Sequence, residues 1–191
     1  MVEEQLKQWI SEICAGNEDS FQRLYDATSA DVYRTVRYLL INQQDVEDVV
    51  SEVYMALWKS IDQFDQERTF RFWLHGLILR KTQDWRRKSW RRLRIIERRK
   101  AFPQEDSYYD QDEILRKESA NELFQLLNSL SVKHREVVVM RFFHDYSLEE
   151  ISNLLHIPVG TVKSRLHTAL KKLKREIEGE QILEVGGNHG F

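Results

Sequence analysis

The sequence is poor in residues that break or cross-link a chain: two prolines, seven glycines and one cysteine among 191 residues. With so few breakers, long segments can run on as helix, and 31% Asp, Glu, Lys and Arg suits helices with one face in water. The single cysteine, Cys14, excludes an internal disulfide and a cysteine-based zinc site. It lies among apolar helix positions and is expected to be buried filler. No run reaches the ~18 uncharged apolar residues of a membrane-spanning helix. The first residues, MVEEQLKQWI, are acidic and lack the basic-then-apolar order of a secretory signal, so a cytoplasmic protein is expected.

Net charge is also small, at −2, but the charges are segregated. Residues 1–63 hold 5 basic and 12 acidic groups, whereas 64–100 hold 13 basic and 4 acidic. Residues 101–130 are acidic again, with 2 basic and 7 acidic groups, and the remainder is nearly balanced. Such a partition implies separate surfaces for separate partners, one of them a polyanion.

Apolar periodicity predicts an all-α protein. A first helix over 3–14 turns Leu6, Trp9, Ile10 and Ile13 inward and stops at Gly16-Asn17. Asp19 or Ser20 can cap a second helix that continues to about Ile41. The third, from about Gln43 to Ile61, has Val46, Val50, Val53, Leu57 and Ile61 as its core stripe. Asp45, Asp48 and Glu52 lie opposite, with Val49, Met55 and Ala56 beside them. That face has three readings: a solvated acidic surface, a metal or acid–base site, or a docking face for a basic, partly apolar partner. The metal reading is the poorest, because no histidine joins the carboxylates and no pocket is implied.

A loop over 62–68 leads into a long helix from about Thr69 into the nineties. Phe70, Trp73, Leu74, Leu77, Ile78 and Trp85 share its inner face, while Phe72, His75 and Leu79 point away and Phe64 sits in the loop. Phe64, Phe72 and His75 are therefore candidates to hold unstacked bases, while Phe70 and Trp73 read as core. From Arg86 to Lys100 nine basic residues face one acid, a density suited to phosphate contact. Membrane-surface binding is a weaker alternative, since the apolar residues there are few and scattered. Residues 101–113 break the periodicity and turn acidic, as a linker would. Helices over 114–128 and 132–143 follow, and the tail from Gly179 is expected to be loose.

Between them lies SLEEISNLLHIPVGTVKSRLHTALKK, residues 147–172. Ser147 and Glu150 have capping-box spacing, Leu148, Ile151, Leu154 and Leu155 share a face, and His156-Ile157 makes a short connector. Pro158 suits the first turn of a second helix. With Val162, Leu166, Ala169, Leu170 and Leu173 as the buried stripe, Gly160, Ser164, His167, Thr168 and Lys171 turn outward, flanked by Thr161, Lys163 and Arg165. A small, basic outer face suits a helix entering the major groove; a solvated helical hairpin is the plainer reading.

The order of these segments resembles the small two-domain bacterial RNA polymerase sigma factors of the extracytoplasmic-function (ECF) group. DVEDVVSEVYMALWKSIDQF (45–64) is similar to that family's polymerase-binding segment and the start of its −10 reading loop. FRFWLHGLILRKTQDWRRK (70–88) is similar to its −10 recognition helix, and residues 127–174 to its −35-binding domain. The resemblance implies two small helical domains joined by a flexible acidic linker: 1–100 for core polymerase and the −10 element, 101–113 as linker, 114–178 for the −35 element, and a flexible tail over 179–191. It implies that Asp45, Asp48, Val49, Glu52 and Met55 dock on the clamp helices of the largest polymerase subunit. Phe64 and His75 would line a pocket for a flipped −10 base, with Phe72 nearby, and Arg80, Lys81, Arg86, Arg87 and Lys88 would lie along that strand. Pro158, Val159, Gly160, Thr161, Lys163, Ser164, Arg165, His167, Thr168 and Lys171 would present the −35 face. Arg80 stands where many relatives carry Asn, and Thr168 where Arg is frequent, so base preference at both elements is expected to depart from theirs. The polymerase would perform the chemistry, with no cofactor, small-molecule substrate or catalytic group here. An anti-sigma factor, membrane-bound in some members, fits the same family. The competing readings are a stand-alone helix-turn-helix regulator and a metal-dependent nucleic-acid enzyme.

Overall fold

A computed structural model describes residues 3–97 and 123–186, all the described elements being helical. The expected linker over 101–113 lies outside the described residues, as do the expected helix start at 114 and residues 187–191 of the tail. Residues 179–186, expected to be loose, are helical instead, as they continue the last helix. The chain divides into two units, Met1–Phe102 and Pro103–Phe191.

The first unit contains α1 (Glu3–Cys14), α2 (Glu18–Leu39), α3 (Val46–Ser60) and α4 (Phe70–Glu97). α2, α3 and α4 pack against one another, and α1 lies on α2 and α4. Their core comprises Leu6, Ile10, Leu24, Val32, Val36, Leu39, Val53, Leu57, Phe70, Leu74 and Ile78, each at most 2% exposed. Burying one such side chain is worth about 1.5–3 kcal/mol before chain entropy is counted. Gly16 adopts φ 92°, a left-handed conformation that a side chain would oppose, and this ends α1. Tyr54 bonds Thr28 across α2 and α3 at 2.9 Å, and its burial pushes the phenol up to about 12.

Several expectations change here. Asn17, not Asp19 or Ser20, begins α2. Ser20 is instead fully buried and donates to Glu12, whose carboxyl this bond holds below the ordinary range. Cys14 is exposed rather than buried, because the inward row of α1 is Leu6, Ile10 and Ile13. In α3 Val49 is fully buried and Val50 only half-buried, so the stripe runs Val46, Val49, Val53, Leu57.

The second unit holds α5 (123–129), α6 (Val132–Phe142), α7 (Leu148–Leu155) and α8 (Val159–Gly186). Leu127, Leu130, Val137, Val139, Met140, Ile151, Val162 and Ala169 close its core. The buried Arg135 donates to the carbonyls of Leu127 (2.8 Å), Asn128 (3.3 Å) and Leu130 (3.3 Å). The Leu127 carbonyl also accepts from the Leu130 amide at 3.1 Å, so one guanidinium gathers three carbonyls at the end of α5 and locks the turn into α6.

Candidate nucleic-acid and polymerase interface

The turn between α7 and α8 forms as its residues predict. Ser147 and Glu150 make both bonds of a capping box: Glu150 N–H to Ser147 Oγ at 3.1 Å, and Ser147 N–H to Glu150 Oε2 at 2.8 Å. His156 is left-handed at φ 52°, which histidine tolerates better than branched residues and which reverses the chain in a few residues. Pro158 precedes the second helix rather than lying in its first turn. Its carbonyl accepts from Thr161 (2.8 Å) and Val162 (3.1 Å), which starts the ladder.

Every outward position expected on α8 is exposed or half-buried: Pro158, Val159, Gly160, Thr161, Lys163, Ser164, Arg165, His167, Thr168 and Lys171. Nothing lies within 4 Å of a Cβ placed on Gly160, so that point is open to a close-approaching ligand. The Ser164 and Thr168 hydroxyls donate to the carbonyls of Thr161 (3.0 Å) and Ser164 (2.9 Å), keeping their lone pairs outward. Among the described residues no ion pair involves Lys163, Arg165 or Lys171. Behind them His134 is held below the ordinary histidine range, first by burial and then by the positive charges of Arg165 and Lys172. Leu170 is 43% exposed, contrary to the expected stripe, because α6 and α7 cover α8 only along the row through Val162 and Ala169.

The first unit treats its expected site residues less evenly. Asp48 and Met55 are exposed on α3, Met55 by 51%, and Asp45 and Glu52 are half-buried beside them. Val49 underlies this face as core and is not available for contact. On α4 Arg80, Arg87 and Lys88 are exposed, and Phe72, Lys81 and Arg86 half-buried.

Phe64 and His75 are corrected by their neighbours. Phe64 is 7% exposed and packs on Phe70 and Trp73, with ring centroids 5.7 and 5.3 Å away. His75 is 2% exposed, and its Nε2 lies 3.2 Å from Asp31 Oδ2 in a hydrogen bond that Arg71 flanks at 3.7 Å. Neither ring offers a face to a base: Phe64 packs into the aromatic cluster and His75 ties α4 to α2 through Asp31. Leu79, expected to point away, is also buried at 2%.

α1 fastens that loop. The Glu3 carboxylate accepts from the Phe70 amide at the start of α4, Lys7 donates to the Gln66 carbonyl, and Gln66 bonds Ser11 at 3.1 Å. A carboxylate at a helix N-terminus complements its free amides. Residue spacing carried no signal for these tethers, nor for Arg135.

Two all-helical units, one acidic and aromatic–basic and one built on a helix-turn-helix, define a protein that binds nucleic acid at two places. Family models match accordingly: Sigma-70 region 2 over residues 24–92 and Sigma-70 region 4 over 126–175. Similar proteins include the ECF RNA polymerase sigma factor SigW of Bacillus subtilis, 28% identical over 92% of this chain and 98% of SigW. SigX of the same organism is 28% identical over 84% of this chain and 85% of SigX. A solved structure of the sigma factor RpoE in complex with the anti-sigma factor NepR from Bartonella quintana shares the fold. Its TM-score is 0.68 at 19% identity, over 83% of this chain and 96% of that one. The chain belongs to the ECF group of RNA polymerase sigma factors.

Proposed function

We propose a division of labour among named residues within the role its family defines. The chain is a sigma factor: it binds core RNA polymerase and directs promoter-specific transcription initiation. Asp45, Asp48, Glu52 and Met55 dock on the clamp helices of the largest subunit, with Val49 filling the core beneath. Phe72, Arg80, Lys81, Arg86, Arg87 and Lys88 follow the melted −10 strand, while Phe64 and His75 position the loop and helix that meet it. The outward residues of α8 from Pro158 to Lys171 read the −35 element. Residues 1–100 and 114–178 act as the two reading domains, with 101–113 as their linker.

The single observation that carries this reading is the placement of an exposed Met55 and Asp48 on α3, next to a basic α4, in the unit that matches Sigma-70 region 2. Apolar side chains ringed by acids suit a basic partner helix, whereas the cations of α4 suit phosphate. Extruding a base costs a few kcal/mol, which contacts made only to the open strand offset. Tethering two moderate DNA contacts to one enzyme raises affinity for promoters with the right spacing.

The chain acts in the cytoplasm, supplies no catalytic group and needs no cofactor. Among the described residues no helix is long and apolar enough to cross a membrane. An anti-sigma factor holds it inactive, as the RpoE–NepR pair suggests by analogy of fold. Purified core polymerase is expected to give promoter-specific transcripts only when the chain is added, and Asp48→Ala with Glu52→Ala to abolish co-elution with core. Undiminished co-elution of that folded variant refutes the α3 assignment.

A further inference from the structure

Glu52 sits at the seam between α3 and α4, where it contacts two cations of the expected DNA face. One carboxylate oxygen lies 3.5 Å from Lys81 Nζ and the other 3.7 Å from Lys88 Nζ. Around them is a cavity of about 110 Å³ lined by Glu52, Lys81, Asp84, Trp85, Lys88 and Arg91. The Trp85 indole N–H is buried there without a hydrogen-bond acceptor. The cavity thus gathers three cations and an unmet donor, and Glu52 is the carboxylate that holds two of the cations.

We propose that Glu52 is an autoinhibitory residue that links polymerase docking to strand binding. In the free protein its carboxylate offsets part of the charge of Lys81 and Lys88 and competes with phosphate for them. When the polymerase engages the α3 face, Glu52 turns to that partner, and the two ammonium groups become available to the DNA backbone together with the Trp85 N–H. Linkage makes the effect reciprocal: whatever strand binding gains from polymerase, polymerase binding gains from the strand. The inference rests on the assignment of α3 and α4 under Proposed function. It goes beyond it in making one side chain common to both surfaces. Lys81 and Glu52 are about one quarter to one third exposed and Lys88 about half exposed, so each pair is weak and the coupling modest.

The test uses the free full-length protein and a labelled, mixed-sequence single strand of about 15 nucleotides, followed by fluorescence anisotropy across a salt series. Glu52→Gln is expected to bind roughly 2- to 10-fold tighter than the parent. Its salt slope should steepen by about 0.7 for each ammonium released to phosphate. The gain must vanish when Glu52→Gln is added to a Lys81→Gln, Lys88→Gln background. Unchanged affinity of Glu52→Gln, or a gain that survives in the triple variant, overturns the inference while leaving the lysines' role intact. Parent-like binding by Lys81→Gln, Lys88→Gln overturns the strand assignment itself, and the inference with it. Circular dichroism of each variant confirms that it is folded.

Discussion

The basic surfaces of the two units differ in how their charge is held. On α4 four cations are engaged internally: Lys81 and Lys88 with Glu52, Arg87 with Asp84 at 2.5 Å, and Arg71 with Asp31. On the outer face of α8, Lys163, Arg165 and Lys171 have no ion pair among the described residues. An open cation contributes its full charge to phosphate binding, whereas a paired one must first give up its carboxylate. The contrast suits the two tasks proposed for these helices. Duplex at −35 is met intact, but a melted strand is useful only once polymerase is present.

The strongest way to break this contrast is to reverse the open face. Lys163→Glu with Arg165→Glu is expected to lower affinity for −35 duplex by roughly 100-fold or more, read by footprinting. The same reversal at Lys81 and Lys88 should cost the free protein less, because Glu52 already offsets part of those charges. Equal losses would erase the distinction between the surfaces.

A second approach removes the scaffold under the open face. Arg135→Ala removes the buried guanidinium that three carbonyls share at the α5–α6 turn and is expected to cost the second unit about 2–4 kcal/mol. Chemical denaturation of the full chain reads this, and a midpoint unchanged within error would contradict the capping role.

The smallest effect sharpens the picture by pH. His134 is held below the ordinary 6.5 by burial and by Arg165 and Lys172, so the folded unit disfavours its imidazolium. That contribution to stability is complete above the unfolded value near 6.5. It declines as pH falls through 6.5 toward the lowered folded value. His134→Gln should shrink the drop in melting temperature between about pH 7.5 and 5.5; a drop of the same size would remove His134 as the cause.

The α7–α8 pair was legible along the chain because its determinants are local. Ser147 and Glu150 are three residues apart, the connector is short, and α8 is covered along one row only. Even there Leu170 went astray, since nothing local says how wide the covered row is. In the first unit the errors cluster at Phe64, His75, Leu79 and Val49, all predicted outward or available and all buried. The Glu3, Lys7 and Ser11 tethers were invisible for a related reason: hydrogen-bond partners 55 to 67 residues away leave no periodic trace.

Residue order alone decided the helical class, the acidic and basic segments and the outer face of α8, because a 3.6-residue period and local capping act within a few turns. Tertiary packing decided which polar and aromatic side chains of α4 remain outside. A helix touching one neighbour buries one stripe, but α4 meets α1, α2 and α3 together, so rings on its second face are enclosed as well. Packing also brought Glu52 to Lys81 and Lys88, a meeting of two helices that no period along either could foretell.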